Sequence, residues 1–453
     1  MDIQDKRILV VGLGKSGVAS AQFLQARGAK VAVSDSKSPE QLGNEIQALL
    51  DSGIAVETGG HGERTFRAQD LIVVSPGVPV DAPPLVQARL YGVPIIGEIE
   101  LAARFLQGRI VAITGSNGKT TTTTLTGEIL AAAGFPVVVG GNIGTPAISL
   151  VEQTAPQTFV VLEVSSFQLE TIQSFRPWIS CILNITPDHL DRHRTLEAYI
   201  DAKARVFENQ GDDDFCVLNA DDPAANELTA RVHCAVAHFS RRQEVATGAF
   251  ERNDRIWFRN GGVEREILPV EEIALKGAHN LENVLAAVCM ASLAGCPAEK
   301  IRQAVAAFKA VEHRLEFVAE IAGVRYYNDS KATNVDATIK ALESFPANIH
   351  LILGGKDKGS DYTVLEGLLR ERVKRVYTIG AAAEKIASQV RQAAEIVAAG
   401  TLENAVQRAA AAAVPGDVVL LAPACASFDQ FQSYEHRGRV FKELVRALAK
   451  VPT

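Results

Sequence analysis

Residues 111–121 read Val-Ala-Ile-Thr-Gly-Ser-Asn-Gly-Lys-Thr-Thr, and few folds can accommodate that order. An apolar run ends in a glycine-rich turn, and Lys119 with two threonines then opens a long Ala- and Leu-rich stretch. This is strand, loop and helix. The backbone N–H groups of such a loop and the helix N-terminus suit a polyphosphate, Lys119 can neutralise its terminal oxygens, and Thr120 can reach Mg2+. The usual phosphate-loop pattern places its first glycine at position 113, where this chain has Ile113. The alternative is an ordinary strand-to-helix turn that happens to hold a lysine, but loop, lysine, hydroxyl pair and flanking periodicity all agree on the phosphate site.

Three α/β blocks follow one another along the chain. The first starts with a strand over Arg7–Val11, then Gly12-Leu13-Gly14-Lys15-Ser16-Gly17, a helix to about Arg27, and a strand over Lys30–Ser34 ending at Asp35. Taken alone, G-x-G-x-x-G between strand and helix, with an acidic residue 18 positions beyond Gly17, suggests a dinucleotide site. A strand over Asp70–Val74 leads into Ser75-Pro76-Gly77, and the block closes near Gly97.

The second block carries the phosphate loop, with strands expected at Arg109–Thr114, Val137–Val139, Thr158–Glu163, Ile179–Ile185 and Phe215–Leu218. Their Val/Ile/Leu runs alternate with helical stretches, which indicates a parallel sheet covered on both faces. Residues 236–270 have short strand-like pieces and Gly/Asn turns, so a small antiparallel excursion is expected there. The third block begins after Phe308-Lys309-Ala310, with strands near Val324–Tyr327, Ile349–Leu353, Val376–Ile379 and Asp417–Leu421. The Ala-rich stretch 404–414 reads as a helix packed on the sheet. The expected domains are therefore 1–97, 98–310 and 311–453. Three α/β units in series, two with nucleotide-type loops, suggest an enzyme joining two large ligands across interdomain clefts.

Composition narrows the classes of partner. A chain of 453 residues is too long for one core. A hydrophobic content of 47% with 22% charged residues is that of a globular protein, and a net charge of −7 argues against nucleic acid or an anionic membrane as main partner. Anionic ligands must then be held by local positive sites. Cys181, Cys216, Cys234, Cys289, Cys296 and Cys425 show no C-x-x-C spacing, which suggests free, mostly buried thiols in a reducing compartment. No stretch of 18 apolar residues suggests a membrane span and the chain enters a strand directly, so a cytoplasmic protein is expected; a monomer is expected as well.

Beyond the phosphate loop, Glu163 closes a hydrophobic strand at the sheet edge where ligands gather in open α/β folds, and a carboxylate there can hold Mg2+. Its alternative is a solvated strand end. Asn184-Ile-Thr-Pro-Asp188-His189-Leu-Asp191 follows another strand in the same manner, so Asp188 and His189 are expected to face the same cleft. Lys203 falls on the apolar face of a helix with Leu196, Tyr199, Ile200, Val206 and Phe207. An uncharged or modified lysine makes sense of that placement, and snorkelling to the surface is the competing account.

Taken together, Thr114-Gly-Ser-Asn-Gly-Lys-Thr120, Glu163-Val-Ser-Ser-Phe-Gln-Leu-Glu170, Asn184-Ile-Thr-Pro-Asp-His189, Gly277-Ala-His-Asn280-Leu-Glu-Asn283 and His313-Arg314-Leu-Glu316 resemble the Mur ligase family, the ATP-dependent amide-bond-forming enzymes of peptidoglycan precursor synthesis. Asn328-Asp329-Ser330-Lys331-Ala332-Thr333-Asn334 and Pro423-Ala-Cys-Ala-Ser427-Phe428-Asp-Gln-Phe431 resemble its D-glutamate-adding branch, and the similarity runs along essentially the whole chain. It implies an α/β protein of three domains: a Rossmann-like UDP-binding domain, a phosphate-loop ATPase-like domain with a parallel sheet, and a C-terminal Rossmann-like domain.

The resemblance revises the first loop from a dinucleotide site to one for the UDP of a sugar nucleotide. Gly14, Lys15 and Ser16 would offer the turn to a diphosphate, and Asp35, Ser36 and Lys37 would recognise uracil or ribose. Ser75, Asn142 and His189 would line the path to the muramoyl group. On the ATP side it implies Gly115, Ser116, Asn117, Gly118, Lys119, Thr120 and Thr121 at the phosphates, Asn280 and Asn283 at adenine, Arg314 at phosphate and Asp329 at ribose. Thr333, Lys358, Ser427, Phe428 and Tyr434 match a D-glutamate pocket, with Tyr434 an aromatic where the family often has Phe. Lys356 rivals Lys358 within Gly354-Gly-Lys-Asp-Lys-Gly359. Thr120 and Glu163 would hold one Mg2+, and His189 with a carbamylated Lys203 would serve a second. The implied catalytic residues are Lys119, His189 and Lys203. The implied substrates are ATP, UDP-N-acetylmuramoyl-L-alanine and D-glutamate, joined through an acyl phosphate. A sister ligase for another amino acid, an NAD-dependent dehydrogenase and a non-catalytic nucleotide-binding scaffold are the competing readings, and the last would tolerate loss of Lys119 or Glu163, both of which are present. The second leaves Lys119, Glu163 and the third block unexplained.

Overall fold

Val, Ile and Leu runs without polar alternation are stable only where both faces of a strand are covered. In a computed structural model of the chain they build the inner strands of three sheets. The structure describes residues 1–449 except 43, 61, 276, 310 and 311, so the expected boundary at 310/311 lies outside the described residues. The chain divides into two compact units: Met1–Ile185, Glu197–Ile273 and Asn280–Ala307 form one, and Thr186–Leu196, Ala274–His279 and Phe308–Thr453 form the other.

The first unit holds two sheets. In the N-terminal one, β1 (Arg7–Val11), β2 (Lys30–Asp35), β3 (Ala55–Thr58), β4 (Leu71–Val74) and β5 (Ile95–Gly97) lie in the order β3-β2-β1-β4-β5, all parallel. The strand order reverses beside β1, so the C-terminal ends of β1 and β4 open a crevice of the kind in which ligands bind in open α/β sheets.

The second sheet has nine strands: β6 (Arg109–Thr114), β7 (Val137–Gly141), β8 (Phe159–Glu163), β9 (Ile179–Ile182), β10 (Phe215–Asn219), β11 (Ala235–Ser240), β12 (Gly248–Arg252), β13 (Arg255–Asn260) and β14 (Val263–Pro269). Their order is β14-β13-β12-β11-β10-β9-β6-β8-β7. The antiparallel excursion expected over 236–270 is smaller than that range. β11 pairs with β10, and β12 with β11, in parallel, leaving only the pairings of β13, with β12 and with β14, antiparallel. Hydrogen bonds from Arg241 N to Asp221 Oδ2 (2.7 Å) and from Gln243 N to Ser240 Oγ (3.0 Å) hold a wide turn that carries the chain across instead of folding it back as a hairpin. The strand expected to run to Ile185 ends at Ile182, where the chain turns to cradle the phosphate loop.

Helix Glu98–Ala103 joins the two sheets and buries two carboxylates. Glu98 Oε1 accepts from Ile148 N (2.8 Å), and burial pushes its carboxyl up to about 7. Glu100 is equally buried, but Gln173 N, Ser174 N and Oγ, Phe175 N and Arg104 Nε all donate to it. Burial alone raises its pKa, and these bonds outweigh burial and leave it lowered.

In the second unit, β15 (Glu316–Ile321), β16 (Val324–Asn328), β17 (Ile349–Gly354), β18 (Val373–Ile379), β19 (Glu395–Gly400) and β20 (Val418–Leu421) take the order β15-β16-β20-β17-β18-β19, antiparallel only between β15 and β16. The sequence signalled the four inner strands and missed both edges. β15 and β19 are half exposed and mix Glu and Ala with their apolar residues, so they carry no continuous hydrophobic run. The six cysteines are free, five of them buried and Cys234 half-buried. No helix among the described residues is long and apolar enough to cross a membrane.

Candidate functional site

The phosphate loop lies between β6 and helix Lys119–Ala132, at the C-terminal edge of the nine-stranded sheet. Gly118 takes φ +86°, and a Cβ there would collide with Asn283 Oδ1, so both backbone and space demand glycine. No side chain caps this helix. The loop is braced by Asn184, a role that the sequence pattern does not signal. Its Oδ1 accepts from Asn117 N (2.8 Å), its Nδ2 donates to Asn117 O (3.1 Å), and its carbonyl accepts from Ser116 N (2.9 Å).

Lys119 folds back over the loop, donating from Nζ to Gly115 O (2.8 Å) and Ser116 O (2.9 Å). Lys203, on helix Leu196–Ala204, is 1% exposed. The side chain turns into the protein, donates from Nζ to the same Gly115 carbonyl (2.8 Å), and lies 4.4 Å from the centre of the Tyr199 ring. The hydroxyl of Tyr199 meets that of Ser116 at 3.2 Å. The Nζ atoms of two lysines thus converge on one loop carbonyl, and an incoming phosphate would meet Lys119 at the loop.

Glu163, at the end of β8, is buried. Thr120 Oγ1 donates to its Oε2 (2.7 Å) and Asn142 Nδ2 to its Oε1 (2.8 Å). A hydroxyl and a carboxylate in contact are hard oxygen donors, which fit Mg2+ and not a soft metal. Asn283 accepts from Thr122 Oγ1 (3.4 Å) and donates to Asn280 Oδ1 (3.3 Å), so both asparagines stand beside the phosphate helix, where Thr121 is buried.

In the N-terminal sheet, the glycine loop has a different backing. Gly17 is packed so tightly that a Cβ would run into Gly12 O, and Ser75 Oγ donates to that carbonyl (2.7 Å). Asp35, at the end of β2, accepts from Leu13 N (2.7 Å) and Lys37 N (2.8 Å). Gly14, Lys15, Ser36 and Lys37 are exposed and Ser16 is half-buried at the mouth of this loop. The sequence did not anticipate that Asp35 would brace the loop.

The second unit gathers the remaining candidates. Asn334 caps helix Val335–Glu343 by accepting from Ala337 N (2.8 Å), and its Nδ2 donates to Asp188 Oδ2 (2.9 Å). Lys358 Nζ stands 3.4 Å from Asp188 Oδ1, and its side chain is largely buried while Lys356 is exposed. His189, in the left-handed region at φ 55°, holds Nε2 3.6 Å from Asp188 Oδ2. Lys331 Nζ meets the Tyr434 hydroxyl (3.3 Å), and Ser330 Oγ donates to Tyr434 O (2.8 Å). Thr333 is half-buried; Ser427 is buried and Phe428 next to it exposed.

Asp329 is fully enclosed, and burial raises its carboxyl to about 6 against the pull of Arg314 and the Leu315 N–H. Arg314 Nε is buried with no partner among the described residues. Burial, with Arg314 and Lys340 nearby, lowers His279 to about 3. Lys356 N and Ala426 O bond at 2.8 Å, which ties the lysine loop to the segment that leads into Ser427.

Three descriptions of known domains match the chain in order: Mur ligase MurD-like N-terminal domain over residues 6–97, Mur ligase middle domain over 113–291, and Mur ligase glutamate ligase domain over 313–425. Proteins named UDP-N-acetylmuramoylalanine--D-glutamate ligase are similar over nearly their full length. The one from Koribacter versatilis is 66% identical over 450 residues, covering 99% of both chains; that from Acidobacterium capsulatum is 62% identical, covering 99% of this chain and 97% of its own. The fold is shared with a pseudomurein peptide ligase type C from Methanothermus fervidus (TM-score 0.61, 19% identity, 98% of this chain and 100% of that one). It is shared too with a UDP-N-acetylmuramate-alanine ligase from Thermotoga maritima (TM-score 0.60, 20% identity, 98% and 100%). On these matches, and on the loop, lysine and carboxylate that precede them, the chain belongs to the Mur ligase family.

Proposed function

We propose that this protein joins D-glutamate to UDP-N-acetylmuramoyl-L-alanine at the expense of ATP, releasing ADP and phosphate, as a step in peptidoglycan precursor synthesis. The observation that carries the ligase chemistry is the convergence of Lys119 and Lys203 on Gly115 O beside the Thr120–Glu163 pair. The names of relatives up to 66% identical support the choice of amino acid.

A carboxylate is a poor electrophile. The γ-phosphoryl group passes to the alanyl carboxylate, giving an acyl phosphate and ADP. The D-glutamate amine then attacks the acyl carbon, phosphate leaves, and the amine gives up a proton. The protein's work is alignment and charge neutralisation, without a covalent nucleophile of its own. Lys119 offsets the charge that builds on the transferring phosphoryl, and the N–H groups of residues 115–121 hold the remaining phosphate oxygens. Thr120 and Glu163 would hold a Mg2+ ion, which when bound neutralises phosphate charge. In this reading His189 and a carbamylated Lys203 serve a second ion, a role supported by the burial of Lys203 beside the loop.

The sugar nucleotide is assigned to Gly14, Lys15, Ser16, Asp35, Ser36, Lys37, Ser75, Asn142 and His189. Adenosine and its phosphates also take Asn280, Asn283, Arg314 and Asp329, and D-glutamate takes Thr333, Lys358, Ser427, Phe428 and Tyr434. The inward set of Lys358, against the exposure of Lys356, supports Lys358. The domains are assigned as 1–97, 98–310 and 311–453, in a cytoplasmic monomer. The test is release of ADP and phosphate that requires both UDP-N-acetylmuramoyl-L-alanine and an amino acid, read across a panel. Turnover with L-glutamate, L-alanine or meso-diaminopimelate comparable to that with D-glutamate would refute the amino-acid assignment and leave the ligase chemistry standing.

A further inference from the structure

The segment leaving β17 carries two lysines around one aspartate, and that aspartate has no part in the chemistry above. Asp357 turns its carboxylate back into its own loop. Its Oδ1 accepts from the Tyr362 hydroxyl (2.8 Å) and Ser360 N (3.2 Å), and its Oδ2 from Lys385 Nζ (2.7 Å). Burial alone would raise its pKa, but the bonds from Lys385 and Tyr362 prevail and it is lowered, so the group is a carboxylate at neutral pH.

Tyr362 is fully buried, and its hydroxyl also lies 2.9 Å from Cys425 Sγ. The Cys425 carbonyl is clamped by Arg437 through Nη1 and Nη2, both at 3.1 Å. Lys356 and Ala426 exchange a pair of antiparallel backbone bonds at 2.8 and 3.1 Å. The lysine loop and the strand end before Ser427 are thereby one frame, with Asp357 at its centre.

The charge balance explains the frame's composition. Asp357 is the immediate neighbour of Lys358. A bare carboxylate there would repel an incoming dicarboxylate and draw the Lys358 ammonium toward itself. Lys385 cancels that charge from helix Ala383–Val390, outside the loop. We propose that Asp357, anchored by Tyr362 and neutralised by Lys385, is a positioning residue that sets Lys358 for one carboxylate of an acidic amino acid. The inference rests on reading Lys358 as part of the D-glutamate pocket.

The experiment is steady-state kinetics on the full chain, varying D-glutamate, ATP and UDP-N-acetylmuramoyl-L-alanine in turn. Lys385→Met should raise the KM for D-glutamate about tenfold and leave kcat and the other two KM values within about twofold. Lys385→Arg should stay near the parent. The double variant Asp357→Asn with Lys385→Met should recover most of the loss, because the uncompensated charge is gone and the amide oxygen still accepts from Tyr362. An unchanged KM in Lys385→Met overturns the proposal, and so does a double variant worse than Lys385→Met, which is what a mere strut would give. If Lys385→Met does not fold, Tyr362→Phe, which removes the one hydroxyl that meets Asp357 and Cys425, must raise the D-glutamate KM selectively or the proposal fails. Lys358→Met separates the two layers. If it leaves the D-glutamate KM unchanged, the pocket reading falls and the inference with it. If it raises that KM while Lys385→Met does not, only the positioning role falls.

Discussion

The two glycine loops of the first unit share a scaffold and differ in what stands behind it. Both connect a buried parallel strand to a helix that has no side-chain cap. Behind the N-terminal loop lies a carboxylate: Asp35 takes the Leu13 amide, so one of the loop's donors is already spent on an anion of the protein. Behind the loop at 115–120 the brace is neutral, from Asn184, and two lysines converge on Gly115. Under the proposed function, glycine spacing marks a close approach of backbone to ligand, and the neighbouring charge marks what the ligand undergoes. A group that is only held can be met by N–H donors with an acid behind them. In the proposed function a phosphoryl group in transfer meets Lys119, whose positive charge offsets the charge that builds on it.

That contrast can be broken by substitution. Lys119→Ala should lower kcat by about a hundredfold to a thousandfold with the fold intact, the range for removing one group aimed at developing charge. Retention of more than about a tenth of the parent kcat would sink the role of Lys119. Gly118→Ala should cost about 3 kcal/mol, because the positive φ and the collision with Asn283 add together; thermal unfolding measures it, and a melt unchanged from the parent contradicts the argument. Lys203→Ala should reduce turnover by roughly tenfold to a hundredfold, with partial return when a small carboxylate such as formate is supplied, if a carbamate is the active form. Full activity without additive would remove Lys203 from the site.

The smallest effect is expected in the other loop. Nothing lies within 4 Å of a Cβ added at Gly14, whose φ is −73°, so Gly14→Ala should change stability by less than about 0.5 kcal/mol. Its effect should instead be a raised KM for the sugar nucleotide, from the methyl group standing where a diphosphate approaches. If Gly14→Ala leaves that KM untouched, the first loop is not a phosphate contact.

Inner strands and the two loops were readable because burial on both faces leaves a chemical record in the chain. The phosphate loop, Glu163 and the inward turn of Lys203 were legible for the same reason: each breaks a local pattern that burial would otherwise impose. The edges were not, since β15 and β19 compromise between core and solvent and look like neither. The parallel run of β11 and β12 was hidden as well, because it depends on the bonds around Asp221 and Ser240, which sequence spacing does not express. Nor could spacing show that Asn184 braces a loop 67 residues before it, or that Asp35 does so from 22 residues after. Such contacts join segments remote in the chain, and a single sequence carries no signal for them.

Helix Glu98–Ala103 ties the N-terminal sheet to the nine-stranded one, and its two acids answer a change of pH in opposite ways. Glu100 is lowered, so its contribution is present above its ordinary value and fades in acid. Glu98 is raised from 4.5 to about 7, so folding takes up a proton there between those values; its contribution is complete below 4.5 and is lost as the pH climbs through about 7. The seam between the two sheets is thus a proton-binding element, and amide exchange along helix Glu98–Ala103 should quicken on the alkaline side of neutrality, beyond the ordinary rise of exchange with pH, before the rest of either sheet responds.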